Sequence, residues 1–159
     1  MKLVVNASPL ILLSAASQLQ ILKDLAEEIV VPLTVLQELE AGAHRDDVAE
    51  RVQQIDWIRA GNEGVVPTEI SAWDLGPGES SVLAWAKNQS GYSCVLDDRA
   101  ARACARSLQL SCVGTLGLVL EAKDVGLIPA ARPVLEAMIR AGYYLGERLV
   151  RQALVRVGE

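Results

Sequence analysis

The chain has 159 residues, of which 51% are hydrophobic and 22% charged; it is long enough to bury its own core as one domain and too apolar to be a disordered chain. Its formal net charge is −5, and aromatics make up 4% with no Phe, which excludes a broad basic footprint on nucleic acid and leaves room for a small acidic, cation-binding site. The three cysteines, Cys94, Cys104 and Cys112, are odd in number and form no C-x-x-C, so neither a disulfide framework nor a zinc site is indicated, and they read as small buried hydrophobes in a reducing cytosol.

The opening MKLVVNASPLILL superficially resembles a secretion signal, but Asn6, Ser8 and Pro9 interrupt its apolar run and Gln18, Gln20 and Lys23 continue a helical pattern. No segment approaches the ~20 apolar residues of a membrane span. The expected location is therefore the cytoplasm, with no membrane association. Leu3–Val5 reads as a strand and Asn6 as a corner, with Ser8 expected to cap a helix that has Pro9 at its first position. Leu19–Ala26 is helical, Ile29–Val31 a strand stopped by Pro32, and Pro32–Ala41 a helix closed by Gly42. A polar helix over Asp46–Gln54 precedes a strand at Trp57–Arg59, and residues 61–78 form a long irregular stretch. Then follow a helix over Glu79–Gln89, a strand at Ser93–Leu96, a helix over Asp98–Leu108, a strand at Leu110–Val113 and a helix over Thr115–Asp124. Pro129–Ala141 and Gly146–Val157 close the chain as two helices. Short apolar strands alternating with helices specify an α/β protein whose central parallel sheet, of about five strands, is covered on both faces. No linker divides the chain, so a single domain over 1–159 is expected, with the helices of about 129–157 packed as an extension.

Familiar catalytic signatures are missing. There is no phosphate-cradling P-loop and no nucleophile elbow. Gly76-Pro77-Gly78 is a turn rather than a dinucleotide fingerprint, and the single histidine, His44, reads as a solvated loop residue. Carboxylates remain. Asp97-Asp98 follow a strand directly, where an open α/β sheet places its ligands. Helix capping accounts for one of the two acids; a cation relieves the repulsion of both. Glu79 stands in the first turn of its helix, and Glu38 lies beside the apolar face formed by Val35, Leu36 and Leu39. Each glutamate taken alone reads as a surface residue rather than a ligand.

Taken together, Asn6-Ala7-Ser8-Pro9-Leu10-Ile11, Glu38, Glu79 and Asp97-Asp98 resemble the PIN-domain family, and residues 95–123 and 127–149 resemble a poorly characterised prokaryotic branch of it. The resemblance spans nearly the whole chain. It implies a three-layer α/β/α sandwich and a metal-dependent ribonuclease, often the toxin of a toxin–antitoxin pair. Carried over position by position, Asn6, Glu38, Glu79 and Asp98 match the four site acids as catalytic residues. Glu38, Glu79, Asp97 and Asp98 would then hold Mg²⁺ or Mn²⁺, with Asp97 a neighbour that shares the role of Asp98. Ser8 matches the polar residue near the first acid, and Arg99 and Arg102 are candidate contacts to RNA phosphates, expected to be single-stranded. Asn6 departs from the pattern: its amide oxygen can coordinate Mg²⁺ only as a neutral ligand. This raises the alternative of a catalytically weak or inactive module that binds nucleic acid or protein. A small-molecule binder at the sheet's switch point is a third reading. A homodimer and a small antitoxin are the protein partners the resemblance implies.

Overall fold

Five short apolar segments pair side by side, all parallel, in the order β3-β2-β1-β4-β5. The computed structural model describes residues 1–42 and 47–159. In chain order the elements are β1 (Lys2–Val5), α1 (Ala7–Ala15), α2 (Gln20–Leu25), β2 (Glu28–Pro32), α3 (Leu33–Ala41), α4 (Val48–Gln53) and β3 (Ile58–Gly61). They continue with α5 (Thr68–Ser71), α6 (Pro77–Asn88), β4 (Tyr92–Val95), α7 (Arg99–Ser107), β5 (Cys112–Val113), α8 (Thr115–Asp124), α9 (Arg132–Arg140) and α10 (Glu147–Arg156). Parallel neighbours need crossovers, and right-handed crossovers put the helices that follow β1 and β2 on one face and those that follow β3 and β4 on the other. Accordingly α6 packs on β1, β2 and β4 and meets α7, while α1 and α2 meet α8; α3 departs from this division and packs against α6, with Glu38 bonded to the Gly78 N–H. The result is the expected three-layer α/β/α sandwich.

The strands are apolar throughout because both sheet faces are covered. Leu3, Val4, Val5, Val30, Val31 and Cys94 are all fully buried. With no Phe available, Leu10, Leu13, Leu22, Leu83, Leu118 and Leu135 fill the layers between sheet and helices. Met138 of α9 and Leu154 of α10 join the same core. Cys94 and Cys104 are buried free thiols, and Cys112, on the edge strand, is half-buried. No helix among the described residues is long and apolar enough to cross a membrane.

Several boundaries differ from the sequence expectation. The first helix begins at Ala7, so Asn6 rather than Ser8 takes the N-cap position, and Pro9 sits within the first turn. A proline is tolerated there because the first-turn N–H groups have no intrahelical acceptor. Likewise Pro77 is the first residue of α6, so the expected turn Gly76-Pro77-Gly78 is a helix start. The supposedly irregular 61–78 contains the short helix α5, and β5 shrinks to two residues. The expected helix start at Asp46 and the loop reading of His44 lie outside the described residues.

The amino end of the sheet carries a polar bracket. Lys2, Glu28 and Tyr92 stand in register on three adjacent strands. Lys2 Nζ lies 3.0 Å from Glu28 Oε2, and Arg59 donates to Glu28 Oε1 at 2.6 Å and to the Tyr92 hydroxyl at 3.1 Å. The Arg59 guanidinium also covers the Trp85 ring, which meets Tyr92 edge-on. The Tyr92 hydroxyl and the Lys2 ammonium, with Arg59, hold the Glu28 carboxyl down at about 2 from its ordinary 4.5. A folded-state value below the unfolded one means that the bracket contributes fully above pH 4.5 and is lost as pH falls towards 2. Urea titrations from pH 7 to pH 2.5 should show Glu28→Gln less stable than wild type at neutrality, by no more than about 1 kcal/mol because the group is partly solvated. That difference should close in acid. Nearby, a Cβ on Gly61 would stand 2.5 Å from Trp85 Cζ3 and 2.6 Å from Val30 Cγ1. Gly61→Ala should therefore lower stability by about 1–3 kcal/mol in the same assay, from overpacking.

Candidate functional site

The chain runs β1, β2, β3 in one direction across the sheet and then returns to place β4 on the other side of β1. The carboxyl ends of β1 and β4 thus flank a topological switch point, where the loops diverge and leave a crevice. Asn6 is the first residue beyond β1, and Asp97 lies two residues beyond β4. The backbone N–H of Asn6 donates to the Val95 carbonyl at 3.2 Å and fixes the two strand ends together.

Asn6 is 3% exposed, and its side chain caps nothing. Its Nδ2 donates to Glu79 Oε1 at 3.1 Å. Facing a carboxylate, only the NH₂ side of an amide can bond, so Oδ1 is turned the other way. That oxygen is buried and has no hydrogen-bond partner among the described residues. It is aimed at Gly78, where an added Cβ would stand 2.8 Å from Asn6 Oδ1 and collide with the Glu38 carboxylate. Glu38, from α3, accepts the Gly78 N–H at 2.9 Å. Glu79 lies in the first turn of the same helix. The N-terminus of α6 therefore meets two carboxylates, and its unpaired N–H groups and dipole favour both. Gly78 is the clearance that lets the oxygens of Asn6 and Glu38 approach the backbone.

The second half of the site is built around Asp97. Its Oδ1 accepts the Thr115 N–H at 2.8 Å and the Tyr143 hydroxyl at 2.9 Å. Its Oδ2 accepts the Thr115 hydroxyl at 2.6 Å and, at a longer 3.5 Å, the Ser8 hydroxyl. Thr115 is fully buried at the first position of α8, so Asp97 supplies that helix with the cap its own Gly114 cannot. Burial, and next the negative charge of Asp97, push the Tyr143 hydroxyl up, so it stays a proton donor through the neutral range. Ser8, two residues beyond Asn6, is the link between the two halves.

The candidates thus separate. Asn6, Glu38 and Glu79 converge around Gly78, and Ser8 joins Asp97. Asp98 is exposed and spends its carboxylate on the Ala101 N–H, at 2.8 Å, as the N-cap of α7. Of the adjacent acids, the second is the helix cap and the first faces the crevice. Arg99 is exposed at the start of α7. Arg102, one turn on, is half-buried and reaches Gly114, where an added Cβ would strike its guanidinium and lie 3.3 Å from Asp97 Oδ1. Thr115 and Tyr143 were not singled out in the sequence. Gly114-Thr115 carried a signal, a hydroxyl directly after the last strand; Tyr143 carried none.

Among the described residues no three side chains of His, Cys, Asp or Glu come close enough to hold a metal ion by themselves. The donors that do converge, two carboxylates and a buried amide oxygen without a partner, are hard oxygen ligands suited to Mg²⁺ or Mn²⁺. An orphaned buried acceptor of this kind fits a cation or its bound water.

A family model described as a PIN domain matches residues 2–159. The chain belongs to the PIN-domain family. No curated protein matches it. PIN domains have a nuclease-like fold and are generally dependent on divalent metal ions, and this PIN domain has its oxygen cluster and Asp97 at the mouth of that fold. Because Asp97 is held by Thr115 through two donors, Thr115→Val should leave a half-buried carboxylate short of one of them. The expected loss is about 1–3 kcal/mol in chemical denaturation, larger than for the exposed cap substitution Asp98→Asn.

Proposed function

We propose that this PIN domain is a divalent-cation-dependent endoribonuclease that cuts single-stranded RNA. The observation that carries the reading is the unpartnered, buried Asn6 Oδ1 beside the carboxylates of Glu38 and Glu79. Glu38, Glu79 and Asn6 would hold one Mg²⁺ or Mn²⁺. When bound, such a cation supplies Lewis-acid polarisation of a phosphodiester and makes a water more acidic.

The chain's own residues do the rest. The Gly78 N–H holds Glu38 and the Asn6 amide holds Glu79, so they need little reorganisation before binding. Asp97 has both oxygens occupied by Thr115, Tyr143 and Ser8, so its role is to hold the Ser8 and Thr115 hydroxyls in place rather than to abstract a proton. Ser8, at the long end of that network, is the group free to turn towards a phosphate oxygen. This arrangement favours one cation over two, because the acid that would share a second ion is already committed. Asn6 adds no negative charge, which lowers the pull on a second divalent ion further.

Asn6 in place of an acid also favours a second reading: a PIN module that binds RNA without cutting it. Calorimetric Mn²⁺ titration and cleavage of a quenched-fluorophore single-stranded RNA separate the two. Wild type should bind one Mn²⁺ per chain and cleave. Glu79→Gln should weaken Mn²⁺ binding by about tenfold or more, the loss of one charged ligand, and abolish cleavage. Asn6→Asp should raise both. RNA binding with no cleavage by wild type or Asn6→Asp would establish the second reading, and no Mn²⁺ binding at millimolar concentration would overturn the first.

A further inference from the structure

Behind Asp97 lies a groove of about 480 Å³ that the oxygen cluster does not use. It runs between β5, α8 and α10 and has Arg102 of α7 at the end nearest the site. Its floor is aliphatic, from Leu116, Leu120 and Ala153, and Leu149 overhangs it from α10. Gln152 also lines it, and Arg156, which meets Asp124 at the last residue of α8, stands at the end away from Gly114. The size is that of a site for a small organic ligand.

The charge distribution narrows the chemistry of that ligand. Among the described residues Arg102 makes no ion pair within 4.0 Å, although it is half-buried. Arg156 has only a 3.6 Å contact to the exposed Asp124. Two guanidiniums thus line one largely apolar trough, Arg156 beside Asp124 and Arg102 across Gly114 from Asp97, with no acid hydrogen-bonded to Arg102 among the described residues. A partly desolvated guanidinium without a partner is compensated best by an anion that accepts its forked donors, and phosphate does so bidentately. Between the arginines the leucines offer a flat apolar bed rather than a polar one. An anion with a planar apolar body matches this arrangement; a bare phosphate uses only its ends. Gly114, against which the Arg102 guanidinium packs and whose added Cβ would also press on Asp97 Oδ1, makes the groove continuous with the candidate site.

We infer that this groove binds a single nucleotide unit, with its phosphate on Arg102 and its base over Leu116, Leu120 and Leu149. The placement rests on the ribonuclease reading in one respect: the nucleotide is taken to be the one adjoining the cut in an RNA strand. Arg102 is then the residue shared between the scissile region and the neighbouring nucleotide, and sequence preference next to the cut is set by the leucines.

The test is equilibrium binding in EDTA, which separates it from any question of metal or cleavage. AMP, adenosine and inorganic phosphate are titrated against wild type, Arg102→Gln and Leu149→Glu, with thermal melting to check the fold. Leu149 is 47% exposed, so its replacement gives a folded second variant even if Arg102→Gln perturbs the crevice. AMP should bind about tenfold or more tighter than either fragment, and each substitution should weaken AMP by about tenfold, the loss of one charge-assisted contact. AMP binding no tighter than phosphate, or unchanged in both variants, would overturn the assignment. A short single-stranded RNA provides the last arm. Its affinity should fall with that of AMP in Arg102→Gln; RNA affinity unchanged while AMP affinity drops means a pocket for free nucleotides and overturns the strand placement. A chain that binds AMP as described yet cuts no RNA removes the nuclease reading and leaves the groove standing.

Discussion

The convergence of helix N-termini at one edge of a parallel sheet is the constraint on which this structure depends. Every strand of such a sheet points the same way, so every following helix starts at the same edge. At the switch point between β1 and β4 the starts of α1, α6 and α8 surround one crevice, with α7 alongside. Each start exposes N–H groups that nothing inside its helix can satisfy. The carboxylates of Glu38, Asp97 and Asp98 accept three of them, from Gly78, Thr115 and Ala101. The acids are therefore gathered by the fold's own unsatisfied donors, and a cluster of like charges becomes tolerable in a small space without a compensating lysine or arginine at its centre.

The two edges of the sheet have different work. At the amino edge Lys2, Glu28, Arg59 and Tyr92 pair with one another across four strands and cover Trp85, whose buried Nε1 has no hydrogen-bond partner among the described residues. At the carboxyl edge, among the described residues, Asn6 Oδ1 has no donor and Arg102 has no acid within 4.0 Å. Satisfied networks rigidify, whereas incomplete ones mark where something else binds. What singles out the carboxyl edge is that its unpaired atom is an acceptor standing beside two carboxylates.

Much of this was legible from the sequence because apolar runs, glycines and prolines report directly on local geometry. The strands and their parallel arrangement follow from element order, whereas the grouping of Asn6, Glu38 and Glu79 was implied only by the resemblance to the PIN-domain family. The adjacent pair Asp97-Asp98 shows where legibility stops. Both follow the same strand, and only the turn between strand and helix decides which bends back onto α7 and which faces the crevice. The opening Asn-x-Ser-Pro misled in the same way: proline is compatible with any first-turn position, so it fixed the helix start only to within two residues. Tyr143 could not be read at all. Its contact with Asp97 spans 46 residues of sequence and depends on how the segment between α9 and α10 folds over the crevice.

Asn6 also changes what the empty protein can be. Its neutral amide gives Glu79 a donor, so the crevice assembles without a further negative charge beside Glu38 and Glu79. An aspartate at the same place would set two carboxylates face to face. Asparagine spares the ligand-free chain that repulsion where the end of β1 meets the start of α6.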